Sequence, residues 1–226
     1  MGTKNWLYFD FDDVLAHRAL SRSILVGERL GIEPSLARAF YVHGYKGVLQ
    51  LANQSKAILS FNDEVSFYAA VFGHLSERFG RKHDHQDLID LAVEFVSVPF
   101  ELFPGVIESL RSLQDRYELG ILSDAHPTRR AAELTYLGLL PFFRVVLISG
   151  EVGFDKSEPE FFAQAIVAAQ TEAKHLQLID NSPEPLCISL SCGFTKGVLI
   201  GHELSDDWET DQTVEALTTR LLIKRP

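Results

Sequence analysis

Asp10-Phe11-Asp12-Asp13, Ser123-Asp124, Lys156 and Asp180-Asn181 bring carboxylates, a hydroxyl and an ammonium to four points of the chain, each at or soon after the end of an apolar run. Asp10 and Asp12 are spaced so that both acids can face one side of a strand end while Phe11 turns into packing. A carboxylate such as Asp10 can act as a nucleophile and take up a phosphoryl group, which splits one hard displacement into two. Asp12 can protonate a leaving oxygen and later deprotonate water. Clustered carboxylates repel, so a divalent cation shared by Asp10 and Asp180 relieves the cost, and oxygen-only ligands favour Mg²⁺. Ser123 and Lys156 can hold the non-bridging oxygens. Each residue also has an ordinary explanation, because acids end strands as turn residues, Ser123 fits a helix cap, and Lys156 fits a solvated loop. Recurrence at four successive strand ends favours the joint reading.

The elements that must position these groups follow from hydrophobic periodicity. Trp6–Asp10 reads as a short buried strand. From about Ala16 to Val98 the pattern is helical, with no convincing strand. Val65, Tyr68, Phe72, Leu75 and Phe79 share one helical face, and Leu88, Leu91, Ala92 and Phe95 repeat the pattern on the next helix. Glu33-Pro34 fits a helix start, and Gly80 with Arg81–Asp84 separates the two helices.

After Pro99, strands at Leu119–Ser123, Val145–Ser149, Leu176–Asp180 and Gly197–Ile200 alternate with helices. The helices are expected around Val106–Leu113, at Pro127–Leu137 and Pro159–Ala169, from Pro183, and near Thr213–Leu222. Ser157 and Glu160 have the spacing of a capping box. This alternation predicts an α/β fold, a Rossmann-like parallel sheet with helices on both faces. The core takes residues 1–15 and 99–226, and an all-helical segment, residues 16–98, is inserted after the first strand. In such sheets ligands bind outside the carboxyl ends of the strands, where all four segments fall.

Composition narrows the partners. With 46% hydrophobic and 23% charged residues, the 226-residue chain reads as a globular protein rather than a disordered one. A net charge of −10 argues against a nucleic-acid or anionic-membrane surface, and gives an anionic substrate reason to need a local positive centre. No run approaches a bilayer-spanning length, and the N-terminus lacks the apolar stretch of a signal peptide, so a cytoplasmic protein is expected. Cys187 and Cys192, five apart, suit neither a metal box nor a disulfide and read as reduced packing residues.

The ordered set resembles the haloacid dehalogenase-like superfamily, whose members are mostly phosphatases. Asp10-Phe11-Asp12-Asp13-Val14-Leu15 is similar to its first motif, Leu122-Ser123-Asp124 to the second, Lys156 to Phe162 to the third, and Ile179-Asp180-Asn181-Ser182-Pro183 to the fourth. Phe103-Pro104-Gly105 and Tyr136-Leu137-Gly138-Leu139 resemble connecting segments of the subgroup with a helical cap between motifs one and two. The resemblance implies Asp10 as nucleophile and Asp12 as acid/base, with the Asp12 carbonyl also on Mg²⁺. It implies Ser123 and Lys156 on phosphate, and Asp180 on the metal.

The chain departs from the pattern at Asp124 for Asn, Ser157 for Pro and Asn181 for a second acid, while Asp13 stands where many members have Gly. Asn181 leaves one charge fewer beside the metal, which Glu184 could offset through water. The expected function is an Mg²⁺-dependent phosphatase of a small phosphorylated metabolite. Its rivals are a phosphomutase, a haloacid dehalogenase and a catalytically silent binding module. Oligomeric state is not written in the pattern.

Among other candidates, His83-Asp84-His85 reads better as a helix cap than as a metal site, and His126 suits either the active site or a cap. Arg129-Arg130 and Lys224-Arg225 read as solvated faces. His17, Arg18, Tyr45 and Lys46 belong to the cap or its hinge, with hinges expected near Leu15–Arg18 and Val98–Phe100. Phe40, Tyr41, Tyr45, Phe61, Phe67 and Tyr68 serve equally as bundle core or substrate contacts.

Overall fold

The computed structural model describes residues 5–37, 61–201, 209–211, 214, 216 and 218. Two compact units emerge: Met1–His17 with Glu101–Pro226, and Arg18–Phe100.

In the first unit the strands are β1 (Asn5–Phe9), β4 (Tyr117–Ser123), β5 (Val145–Ile148), β6 (Leu176–Asp180), β7 (Lys196–Ile200) and β8 (Glu209–Asp211). They form one sheet in the order β5-β4-β1-β6-β7-β8, and every pairing is parallel. A parallel sheet covered on both faces needs strands that are apolar throughout rather than alternating. β1 meets this demand, with Trp6, Leu7, Tyr8 and Phe9 all buried. The strand order reverses at β1: the chain steps outward to β4 and β5, then returns to β6 on the other side. Such a reversal opens a crevice at the carboxyl ends.

Register decides what reaches that crevice. Phe9 stands opposite both Ile121 and Ile179, so Asp10 follows level with Leu122 and Asp180. The Asp10 amide extends the ladder by donating to the Ile179 carbonyl at 2.8 Å. Gly120 makes room for the Tyr8 ring, since a Cβ there would lie 2.4 Å from it. The Tyr8 hydroxyl crosses to donate to the Ala165 carbonyl (2.9 Å), and burial pushes its pKa up.

The helices of this unit are α4 (Val106–Gln114), α5 (Pro127–Tyr136), α6 (Ser149–Val152), α7 (Pro159–Ala169) and α8 (Pro183–Ser191). Phe161 and Phe162 of α7 pack with Tyr8, Leu186 and Phe194 on one face of the sheet. Burial of each such ring is worth about 1.5–3 kcal/mol. The expected capping box is not formed. α7 begins at Pro159 with Glu158 in the capping position, and the Ser157 amide donates to Asp155 Oδ1 (2.8 Å). Proline at the first helical position already removes one amide that a cap would have to satisfy.

The second unit holds α1 (Arg22–Leu30), α2 (Phe61–Arg78) and α3 (His85–Ser97). Tyr68, Phe72 and Phe95 form its aromatic centre, with Phe72 and Phe95 edge-to-face at 5.1 Å. Arg22 stacks its guanidinium 4.2 Å above Phe95 and donates from Nε to the Phe95 carbonyl. Asp84 caps α3 by accepting the Asp87 amide at 2.8 Å, which accounts for the His83-Asp84-His85 run.

Three expectations are corrected. Phe79 lies just past α2 and is exposed, because the helix ends at Arg78. Residues 16–98 are not free of strand: β2 (Ala16–Arg18) pairs with β3 (Phe100–Leu102), too short a ladder to leave an alternation in sequence. Both strands sit where the two units divide. Cys187 is exposed on α8 rather than packed, whereas Cys192 is part-buried against the core. Phe40, Tyr41, Tyr45, Lys46 and most of the segment near Thr213–Leu222 lie outside the described residues; within that segment 214, 216 and 218 are helical. No described helix is long and apolar enough to cross a membrane.

Candidate active site

The carboxyl ends of β1, β4 and β6 deliver Asp10, Ser123 and Asp180, and the segment after β5 and α6 returns Lys156. Lys156 Nζ lies 2.9 Å from Asp10 Oδ1 and 2.8 Å from Asp180 Oδ2. Asp10 is 5% exposed, Lys156 5% and Asp180 0%, so these three charges meet almost without water. A buried charge is tolerated when it is paired and hydrogen-bonded, and here one ammonium serves two carboxylates. Asp180 keeps its place through Oδ1, which accepts the Ser182 amide at 2.8 Å.

The electrostatics follow from this crowding. Burial, with help from Asp180 and Asp12, pushes Asp10 up to about 7 against the lowering pull of Lys156. Burial works against the Lys156 charge, yet Asp10, Asp180 and Asp124 outweigh it and hold the ammonium above its ordinary range. The site is therefore built to keep one cation charged among acids.

Several contacts lock Lys156 in place. Asp124 Oδ1 accepts the Lys156 amide (3.0 Å) and ties the segment after β5 to the end of β4. An acid at position 124 thus performs a link that needs only an acceptor oxygen. Asp124 stays at the rim, but protein crowded around its carboxyl displaces enough water to push its pKa up to about 6. The two loops also approach closely at Gly150, where a Cβ would meet Pro127 Cδ at 2.8 Å and the Ala125 carbonyl at 2.9 Å. Ser149 Oγ accepts the Ala125 amide at 3.1 Å.

Ser123 is fully buried, and its Oγ finds no hydrogen-bond partner among the described residues. Buried hydroxyls are nearly always paired, so this one, at a strand end, stands out as a group with a hydrogen bond left to give.

The turn after β1 carries Asp12 and Asp13. Asp13 takes the left-handed conformation (φ 58°), which aspartate tolerates better than most residues. Its amide donates to the Ala16 carbonyl at 2.8 Å and closes the turn. Asp12 is half-exposed, and its Oδ2 accepts from Arg130 Nη2.

The sequence reading of Arg130 as solvated is corrected: it is 1% exposed, the largest side chain so deeply buried among the described residues. The dipeptide Arg129-Arg130 carries no periodic signal because α5, in which it lies, has few apolar residues. His126 holds the capping position of α5 without a side-chain cap bond and is buried. Asn181 is half-buried and Glu184 exposed in the first turn of α8. Among the described residues no group of three or more His, Cys, Asp or Glu side chains is arranged to hold a metal. Asp10 and Asp180 nevertheless bring two carboxylates to one point, the Lys156 ammonium, and Mg²⁺ characteristically takes one or two carboxylates with waters completing its shell. The residues fit that ion.

A profile of haloacid dehalogenase-like hydrolases matches residues 6–177. The HAD-hydrolase YfnB of Bacillus subtilis is 26% identical over 112 residues, 49% of this chain and 48% of that protein. A glyceraldehyde 3-phosphate phosphatase of Methanothermobacter thermautotrophicus is 25% identical over 118 residues, 50% of this chain and 52% of that protein. Both alignments span about half the length of these curated relatives. Magnesium-bound YfnB superposes with a TM-score of 0.74 at 19% identity, over 98% of this chain and 100% of that one. An L-2-haloacid dehalogenase from Xanthobacter autotrophicus superposes with a TM-score of 0.69 at 12% identity, over 98% and 100%. These superpositions establish a shared fold, and the matched profile, with the strand-end residues it spans, establishes that the chain belongs to the haloacid dehalogenase-like hydrolases.

Proposed function

We propose that the chain is an Mg²⁺-dependent phosphatase acting on a small phosphorylated metabolite through an aspartyl-phosphate intermediate. The observation that carries this reading is the meeting of Asp10 and Asp180 on Lys156, with the unpartnered Ser123 hydroxyl at the neighbouring strand end. A phosphoryl group brings oxygens that need a donor hydroxyl and a cation, and the buried Ser123 and Lys156 side chains are groups of those two kinds.

In the first step a carboxylate oxygen of Asp10 attacks phosphorus as the ester P–O bond breaks. The leaving oxygen takes its proton from the Asp12 carboxyl and departs as an alcohol. In the second step Asp12, now a carboxylate, takes a proton from water, whose oxygen attacks phosphorus. The bond from phosphorus to Asp10 breaks, releasing inorganic phosphate and restoring both aspartates. Ser123 and Lys156 hold the equatorial oxygens through both steps. Asp10, Asp180 and the Asp12 carbonyl would hold an Mg²⁺ ion, which when bound would supply positive charge against the phosphoryl oxygens.

A second carboxyl two residues after the nucleophile serves an alcohol leaving group, whereas displacement of a halide needs no proton. Asp12 therefore favours the phosphatase over the dehalogenase reading. The test is a screen of phosphorylated metabolites for phosphate release, with Mg²⁺ and with chelator, using the wild type and Asp12→Asn. Metal-dependent release that falls at least 100-fold in Asp12→Asn supports the proposal. Chloride release from L-2-chloropropionate without metal supports the dehalogenase instead.

A further inference from the structure

The buried guanidinium of Arg130 lies outside the groups the mechanism uses, yet it reaches one of them. It stacks 3.9 Å from the centre of the Phe11 ring, the residue between the two aspartates of the first turn. Nη2 pairs with Asp12 Oδ2, and Nη1 pairs with Glu133 Oε2 at 3.1 Å. Glu133 lies one turn further along α5, and its other oxygen takes Arg129 Nη1 at 2.8 Å. Two cations and two carboxylates thus form a chain that ends on Asp12. The pair is lopsided in exposure: the Arg130 side chain is 1% exposed and that of Asp12 42%. The guanidinium approaches Asp12 from the protein side and leaves it open toward solvent.

This geometry has a cost and a use. An arginine placed in the interior loses most of its hydration, and its partners must make up the loss. A guanidinium flat on a ring, with its forked nitrogens divided between two carboxylates, has little freedom left. An aspartate in a turn otherwise samples more than one rotamer, and general acid–base catalysis depends on a carboxyl held within hydrogen-bond reach of the reacting oxygen.

We infer that Arg130 is a positioning residue that fixes the Asp12 carboxyl for proton transfer, with Phe11 and Glu133 fixing Arg130 in turn. The inference rests on the phosphatase reading for what Asp12 does, and on the structure alone for what Arg130 does to Asp12.

The test uses Arg130→Met, which keeps much of the stem over Phe11, and Arg130→Lys, which keeps the charge but not the fork. The probes are p-nitrophenyl phosphate, whose leaving group departs without a proton, and β-glycerophosphate, whose alkoxide needs one. Loss of a well-placed acid should lower kcat/KM for β-glycerophosphate about 100-fold and for p-nitrophenyl phosphate about 10-fold or less. Arg130→Lys should recover part of the difference, and in an Asp12→Asn background Arg130→Met should no longer change the ratio between the substrates. Equal losses on both substrates, or an undiminished effect in the Asp12→Asn background, would overturn the inference. A crystal structure of Arg130→Met supplies a readout free of turnover. A displaced or disordered Asp12 side chain supports the positioning role, and an unchanged one refutes it. If wild-type protein releases phosphate from neither probe, the phosphatase reading fails, while the crystal structure still decides the role of Arg130.

Discussion

Lys156 Nζ donates to Asp180 Oδ2 across 2.8 Å, and neither side chain is more than 6% exposed. The same nitrogen serves Asp10, so one ammonium neutralises two acids that would otherwise repel. Removing one partner of a buried ion group leaves uncompensated charge and typically costs about 3–5 kcal/mol. Lys156→Met should therefore destabilise the metal-free protein by about that amount at pH 7.5, measured by urea unfolding. A loss under about 1 kcal/mol would mean that water reaches the two carboxylates.

Ser123 should behave in the opposite way. Its hydroxyl has no partner to lose, so Ser123→Ala should leave stability within about 1 kcal/mol of wild type. Binding of inorganic phosphate, read by calorimetry in the presence of Mg²⁺, should weaken about tenfold. A large stability loss with unchanged phosphate binding would make Ser123 structural.

The pH dependence follows from Asp10 and Asp124. Burial raises Asp10 from 3.8 to about 7, and protein crowded around the Asp124 carboxyl at the rim raises it to about 6, so the folded protein holds more protons than the unfolded chain between about pH 4 and 7. Stability falls with rising pH wherever the folded state binds more protons. The stabilising charge of Lys156 is fully present throughout this range and is lost only as pH rises through its elevated folded-state value. Without metal, these groups should make the protein more stable near pH 5 than near pH 7.5. Mg²⁺ must displace the Asp10 proton, so its thermal stabilisation should be larger at pH 8 than at pH 5.5. An Mg²⁺ effect that does not change with pH would place the ion away from Asp10.

Much of this arrangement was legible in the residues. Asp10, Ser123 and Asp180 announce themselves because apolar strand runs end on them, Lys156 follows a few residues after the end of another, and a parallel sheet aligns its carboxyl ends whatever the details of packing. Arg130 was illegible for a physical reason. Its burial depends on Phe11 and Asp12, more than a hundred residues earlier, and local periodicity carries no trace of a partner so remote. The β2–β3 pair escaped for a similar reason, since three-residue strands are defined by their partner rather than by alternation. At Ser157 the pattern suggested a cap, but Pro159 and the Asp155 carboxylate determined the local bonding instead.

The central claim is that Asp10 forms a covalent phosphoryl adduct with Mg²⁺ present, and it can be tested without knowing the substrate. Beryllium trifluoride mimics a phosphoryl group on a carboxylate, and its adduct gives bound ¹⁹F resonances. The full chain with Mg²⁺ should show these resonances, and they should vanish with chelator and in Asp10→Asn. Bound resonances that persist in Asp10→Asn, or that never form in the wild type, would contradict the account.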